Sequence, residues 1–107
     1  MPRRTLGKYI LDAAGEPVRC DDLFTWAEWF ETADRSVALD RVGEVEVSTV
    51  FLGIDHNHGD RGPPILFETM IFGGDLDGRA DRYATRSQAV AAHDQLVAAL
   101  RAKEPPR

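Results

Sequence analysis

Two segments in which side chains alternate between two faces constrain the fold most, and they flank the loop IDHNHGDRGP at residues 54–63. In EVEVSTVFLG, before the loop, Val47, Thr49 and Phe51 share one face of an extended chain. In PILFETMIFGG, after it, Glu68 lies in the middle of an otherwise apolar face. The pattern predicts two neighbouring antiparallel strands. Glu68 then needs a hydrogen-bonding or cationic partner, or else its face is an exposed apolar patch and an interaction surface.

The other patterns complete an α+β fold with the predicted order ββαβββα. KYILDAAGEPV predicts a hairpin over about residues 8–19, and SVALDRV predicts a strand that turns at Gly43 into EVEVSTVFLG. CDDLFTWAEWFETAD predicts a helix that is capped by Asp21 or Asp22. A second helix is predicted to begin at Thr85 with a capping box.

Both predicted helices carry an apolar stripe that requires a core. The first stripe consists of Leu23, Trp26, Ala27, Phe30 and Ala33. The second consists of Ala89, Val90, His93, Leu96, Val97 and Leu100. We therefore expect an antiparallel sheet of four to five strands with two helices packed on one face. Trp29 lies beside the first stripe, where it either completes this packing or anchors a partner protein.

Length and composition predict one domain over residues 1–107, with frayed ends at about 1–6 and 103–107. The chain is 43% hydrophobic and 29% charged, as is typical of soluble globular proteins. No stretch approaches the roughly 20 apolar residues of a membrane-spanning helix, and no secretion signal is recognisable, so we expect a cytoplasmic protein. A net charge of −5 disfavours direct binding to nucleic acid.

The motif IDHNH is the strongest candidate for a metal site. His56 and His58 point the same way if the loop continues the preceding strand, and Asp55 is adjacent. A divalent ion such as zinc needs at least one more ligand. The candidates for it are Asp60, His93 and Glu68. The alternative interpretation is a polar hairpin loop, because Asn-His-Gly and Asp-Arg-Gly are common in turns.

No catalytic constellation is recognisable in the sequence, and we expect no cofactor. The serines lie outside any glycine-flanked elbow, and no glycine-rich phosphate loop is present. Cys20 adjoins Asp21 and Asp22, whose charge opposes thiolate formation. His93 lies on the inward stripe of the last helix, which favours a hydrogen-bonded histidine at the edge of the core. These features argue against an enzyme.

Several phrases of the sequence together resemble a small protein family that bacteriophages and prophages encode. These phrases are CDDLFTWAEWFETADR, VEVSTVFLGIDH, PPILFETMIFGG and RYATRSQAVAAHDQLV, and the similarity covers about residues 8–100. The family has no assigned biochemical activity. The resemblance therefore implies a phage origin and an infected bacterial cell, and it assigns no catalytic residue.

Three functional hypotheses follow from these observations. The leading one is a non-enzymatic phage accessory protein that binds a host or phage protein, or itself as a dimer, and in one version modulates a host system. Its candidate interaction residues are Trp29, Leu52, Glu68 and Phe72. The second is a metal-binding module or metal-dependent enzyme that uses Asp55, His56 and His58. The third is a virion or assembly component.

Overall fold

A computed structural model of the protein describes residues 7–59 and 61–103, which form six strands and two helices. In chain order these are β1 (Tyr9–Leu11), β2 (Pro17–Arg19), α1 (Leu23–Thr32), β3 (Ser36–Val42), β4 (Val45–Phe51), β5 (Phe67–Phe72), β6 (Ala80–Tyr83) and α2 (Arg86–Ala102). The predicted α+β class is confirmed. The order contains one strand more than predicted, because β6 follows β5. Apart from Lys103, the ends that we expect to fray lie outside the described residues, and so does Asp60.

The main sheet is antiparallel throughout, with the strand order β3-β4-β5-β6. Val42 pairs with Val45 across the β3–β4 turn, in which Gly43 has a φ of 59°. Glycine accepts a positive φ without steric cost, so it suits the first central position of this two-residue turn. In the centre of the sheet, Thr49 pairs with Thr69 and confirms the predicted neighbouring strands.

The strands β1 and β2 form a separate hairpin that attaches to the chain just after β4. The Gly53 carbonyl oxygen accepts hydrogen bonds from the Tyr9 backbone N–H at 2.8 Å and from Trp26 Nε1–H at 3.0 Å. Gly53 has a φ of +79°, and a Cβ there would lie 2.8 Å from Phe30 Cε2. Only glycine therefore allows the hairpin and α1 to meet at this point.

The helix α2 lies on one face of the main sheet, hereafter the inner face. Its predicted capping box is present, since Thr85 accepts from the Gln88 backbone N–H at 3.1 Å. Along the helix, Ala89, His93 and Val97 are buried. The predicted stripe was wrong only in including Val90, which is exposed.

The helix α1 joins the same face at the end of β4, capped by Asp22 as predicted. The ring of Trp29 packs edge-on against Phe51 with the centroids 5.8 Å apart. The predicted stripe was partly wrong, because Leu23 and Ala27 are exposed. Two tryptophans and Phe30 bury more apolar area than Leu23 and Ala27 would, and they determine which side of the helix faces the core.

The core consists of two apolar clusters separated by polar side chains. One cluster contains Phe51, Leu66, Phe67 and Ala89, and the other contains Val42, Val47 and Val97. Between them along β4, β5 and α2 lie Thr49, Thr69 and His93, here called the polar layer. Among residues 7–59 and 61–103, no helix has the length and apolar character needed to cross a membrane.

Candidate functional site

The polar layer is a continuous chain of hydrogen bonds. His93 Nε2 lies 2.8 Å from Asp40 Oδ2, and its Nδ1 lies 2.7 Å from Thr49 Oγ1. The Thr49 hydroxyl in turn bonds the hydroxyl of Thr69. Because a carboxylate only accepts, Nε2–H donates to Asp40, and in the neutral ring Nδ1 accepts from Thr49. Every buried polar atom of the layer thus has a partner.

An aspartate, a histidine and a hydroxyl that are linked by hydrogen bonds invite comparison with a catalytic triad. Here His93 and Thr49 both have zero solvent exposure, so no substrate reaches the hydroxyl or the ring. A nucleophile must contact its substrate, and this one contacts another threonine instead. The layer is therefore structural, as the sequence indicated for His93.

Asp55 organises the loop that carries the two other histidines. Its side chain is buried, and Oδ1 accepts from the backbone N–H of Asn57 at 2.7 Å and of Ile65 at 2.9 Å. The Asn57 side chain then donates to the carbonyl oxygens of Arg61 and Pro63. These contacts close both ends of the loop onto each other, which matches the predicted polar hairpin loop.

The histidines of the loop lie near each other, with ring centroids 6.3 Å apart. His56 Nδ1 is 2.7 Å from the Ile54 carbonyl oxygen, so this nitrogen carries the proton and donates. In the described part of the chain, no three His, Cys, Asp or Glu side chains are grouped to hold a metal ion. His93 and Glu68 are engaged elsewhere by Thr49 and Arg82. A metal site on Asp55, His56 and His58 stays a prediction.

The face of the main sheet opposite α2, hereafter the outer face, is not covered by any described element. The strand registers place its apolar side chains in one area: Leu39, Val50, Met70, Phe72 and Ala80. Leu39 is 59% exposed and Phe72 is 45% exposed. Large apolar side chains grouped on an open face mark an interaction site more often than singly exposed ones do.

Two ion pairs lie on the outer face with these apolar residues. Glu68 Oε2 accepts from Arg82 Nε at 2.9 Å, and Glu46 Oε1 accepts from Arg41 Nη2 at 3.4 Å. The Glu68 side chain is only 14% exposed, so its charge depends on Arg82 for compensation. Both alternatives that the sequence left open for Glu68 are therefore true at once. Glu68 has a cationic partner, and its face of the sheet is not covered by another described element.

The remaining candidate interaction residues occupy different places. Trp29 packs on Phe51 in the core rather than lying on the outer face. Leu52 is half-buried just after β4, where its backbone N–H donates to the Leu66 carbonyl at 2.7 Å. Of the four residues proposed from the sequence, only Glu68 and Phe72 share the outer face.

A second set of exposed apolar side chains lies on β2 and at the start of α1. It consists of Val18, Leu23 and Phe24, of which Phe24 is 82% exposed. The neighbouring Asp22 carboxylate accepts from Thr25 Oγ1 and from the Phe24 backbone N–H, and these bonds lower the pKa of Asp22. This set belongs to one short helix turn and a hairpin strand, whereas the outer face spans four paired strands.

Comparison with models of protein families, with curated proteins and with solved structures found no match. Sequence patterns did not identify Leu39 as an interaction residue, although the alternation within SVALDRV places its side chain on the other face of the strand from Asp40 and Val42. They also missed Arg82, because β6 lies in a charged, glycine-rich connection that resembles a loop.

Proposed function

We propose that this protein is a non-enzymatic accessory protein of bacteriophage or prophage origin that binds another protein through its outer face in the host cytoplasm. The observation that carries the proposal is the uncovered sheet face on which Leu39 and Phe72 are 59% and 45% exposed. The resemblance of the sequence to a phage-encoded family supports the origin. The burial of the one histidine-hydroxyl pair in the polar layer supports a binding role over catalysis.

The composition of the outer face suits protein recognition. Its apolar residues lie among the ion pairs Glu68–Arg82 and Arg41–Glu46. An apolar centre with polar groups around it is the usual anatomy of an interface, because the rim excludes water from the contacts that bind. The charged pairs then contribute to the choice and orientation of the partner more than to affinity.

The size of the outer face favours a reversible contact with a different protein over an obligate dimer. Three strands of six or seven residues and the four-residue β6 present a projected area of about 400 Å². The accessible area of such a face exceeds its projected area, so the face approaches the roughly 800 Å² that a standard stable interface buries per partner, but it falls short of the larger area that obligate homodimers usually bury. We therefore expect the partner to be a host or phage protein that binds weakly, or one that also contacts residues beyond this face.

Photo-crosslinking in cells tests the proposal. A photoreactive amino acid replaces Leu39 on the outer face, Phe24 on α1 or Ala98 on the exposed side of α2. The expected result is one adduct of defined mass from position 39 and none from positions 24 and 98. Adding Phe72→Ser to the position-39 protein should abolish this adduct, because Phe72 shares the contact surface.

Three outcomes would contradict the proposal. An adduct that forms from position 24 and not from position 39 would show that the binding site lies on α1. An adduct of twice the mass of the chain would identify a second copy as the occupant. An adduct that still forms in the Phe72→Ser protein would show that the captured protein does not bind through the outer face.

A further inference from the structure

The strand β6 leaves one edge of the main sheet unpaired among the described residues. The Ile71 backbone N–H donates to the Arg79 carbonyl at 3.0 Å, which fixes the direction of the peptide groups along β6. Because these groups alternate in an antiparallel pair, Asp81 and Tyr83 also turn theirs toward β5. The N–H and C=O groups of Ala80 and Arg82 therefore point away from the sheet, which leaves two donors and two acceptors on the free edge.

A groove runs beside this free edge, between β6 and α2, and Asn57, Pro63 and Ile65 of the loop before β5 line one end of it. It consists of a cavity of about 520 Å³ and a second of about 290 Å³, which share Tyr83, Ala92 and Gln95. The helix lines it with one stripe at helical spacing: Gln88, Ala91, Ala92, Gln95 and Leu96. Ala91 and Ala92 leave room where larger side chains would fill the space, so the groove has a shallow apolar floor next to an open hydrogen-bonding edge.

We propose that this groove binds an extended peptide segment of another protein, which pairs antiparallel with β6 as a fifth strand. The exposed backbone groups of Ala80 and Arg82 are two residues apart, and an extended backbone presents complementary groups at the same repeat. The site is distinct from the outer face, and it binds backbone as well as side chains.

The side chains around the groove select the chemistry of the peptide. Residues of the added strand opposite Asp81 and Tyr83 point toward α2 and contact Ala91 and Ala92, where apolar side chains fit. A residue opposite Arg82 points to the other side, beside an arginine side chain that is 48% exposed, where a carboxylate is favoured. The preferred segment thus alternates apolar and acidic residues.

A second copy of the chain fits this edge less well than such a segment. Two β6 strands paired about a two-fold axis at residue 81 or residue 82 place Asp81 opposite Asp81, or Arg82 opposite Arg82. Like charges directly opposite each other destabilise a strand pair. An axis at Ala80 places Arg82 opposite Gly78, which lies in the turn before β6.

Synthetic peptides test the groove directly. The probe is an acetylated and amidated heptapeptide in which valine and glutamate alternate, and binding is followed by amide NMR and hydrogen exchange of the full chain. We expect the Ala80 and Arg82 amides to shift and to exchange at least about tenfold more slowly with bound peptide, since both become hydrogen-bonded. N-methylation of the glutamates, whose N–H groups face β6, should weaken binding about tenfold or more. N-methylation of the valines removes only outward N–H groups and should leave the affinity within about twofold.

Protein variants provide a second, independent test of the groove. Ala92→Phe fills the floor of the groove and should weaken binding about tenfold or more, while Ala98→Phe, outside the groove on the same helix, should not change it. The N-methylated peptides keep the test valid if Ala92→Phe disturbs folding. The proposal is overturned if millimolar peptide leaves the Ala80 and Arg82 amides unchanged, or if the glutamate-methylated peptide binds as well as its parent. It is also overturned if those amides are already protected in the free protein in proportion to its concentration, because a second copy then occupies the edge.

Discussion

The two faces of the main sheet differ in a way that their sequences alone do not suggest. On the inner face the sheet contributes two threonines, Thr49 and Thr69, and both are buried. On the outer face it contributes Leu39 and Phe72, and both are exposed. These four residues depart from the usual distribution, although the rest of the inner face is apolar and buried, with Val47, Phe51, Phe67 and Ile71.

The difference between the faces lies in whether their groups have partners. The inner threonines are matched by His93, so that no buried side-chain nitrogen or oxygen of the described residues is left without a hydrogen bond. The apolar groups of the outer face have no covering element within the described chain. Stability should therefore depend on the inner face and recognition on the outer one.

The largest effect is expected from His93→Ala on the inner face. The substitution leaves a cavity between the two apolar clusters and removes a partner from Thr49, so it should lower the free energy of unfolding by about 3 kcal/mol. Urea denaturation measures this loss. Asp94→Ala, at the next and exposed position of α2, is the control and should stay within about 0.5 kcal/mol of the parent. A loss below about 1 kcal/mol for His93→Ala would contradict a structural polar layer.

A smaller effect is expected at alkaline pH from Tyr83, on the inner side of β6. Burial, followed by the charge of Asp81, raises the pKa of this phenol, so the folded state favours the neutral form. The resulting stabilisation is complete below the ordinary pKa of about 10 and is lost as the pH rises through the raised value. Tyr83→Phe should therefore flatten the decline in stability above about pH 10. Equal slopes for the two proteins would show that Tyr83 does not contribute.

On the outer face, Glu68→Gln should cost only about 0.5 kcal/mol, because Arg82 remains half-exposed to water. The loss should shrink as salt is added, which distinguishes an ion pair from packing. Arg41→Gln removes the longer and more exposed pair with Glu46 and should have no measurable effect. A loss of several kcal/mol at Glu68 would mean that the outer face carries stability after all.

No effect is expected from removing divalent metal. Asp55 Oδ1 already accepts two backbone N–H groups, and His56 Nδ1 donates to a carbonyl, so the loop between β4 and β5 is organised by its own bonds. The melting temperature of protein purified without a histidine tag should be the same with and without chelator. A lower melting temperature in chelator, with metal found by elemental analysis, would establish the site at Asp55, His56 and His58.

Sequence patterns predicted the centre of the sheet well and its borders less well. Alternation placed Thr49 and Phe51 on one face correctly, because strands β4 and β5 are long and alternate clearly. The four residues of β6 carry three charged or small side chains next to glycines, and only their pairing with β5 makes them a strand. For the same reason, the sequence did not reveal Arg82 on β6 as the partner of Glu68.

The candidate site was predicted only in part for a related reason. Sequence periodicity assigns a face to a residue but does not tell which face another element covers. Phe72 was proposed as an interaction residue from the sequence, whereas Leu39 became a candidate only because α2 covers the opposite face of the sheet. The bond between Thr49 and His93 joins residues 44 positions apart, a distance over which local patterns carry no information.

Two substitutions on β5, three positions apart and on opposite faces, test the central claim most directly. Thr69→Val and Phe72→Ser are compared for the free energy of unfolding and for the yield of the photo-crosslinked adduct from position 39. We predict that Thr69→Val lowers stability by about 1 kcal/mol and leaves the adduct intact, because it removes one buried hydrogen bond. Phe72→Ser should abolish the adduct and change stability by less than about 0.5 kcal/mol. The reverse pattern, or one in which both variants lose both properties, would contradict the division of roles between the two faces.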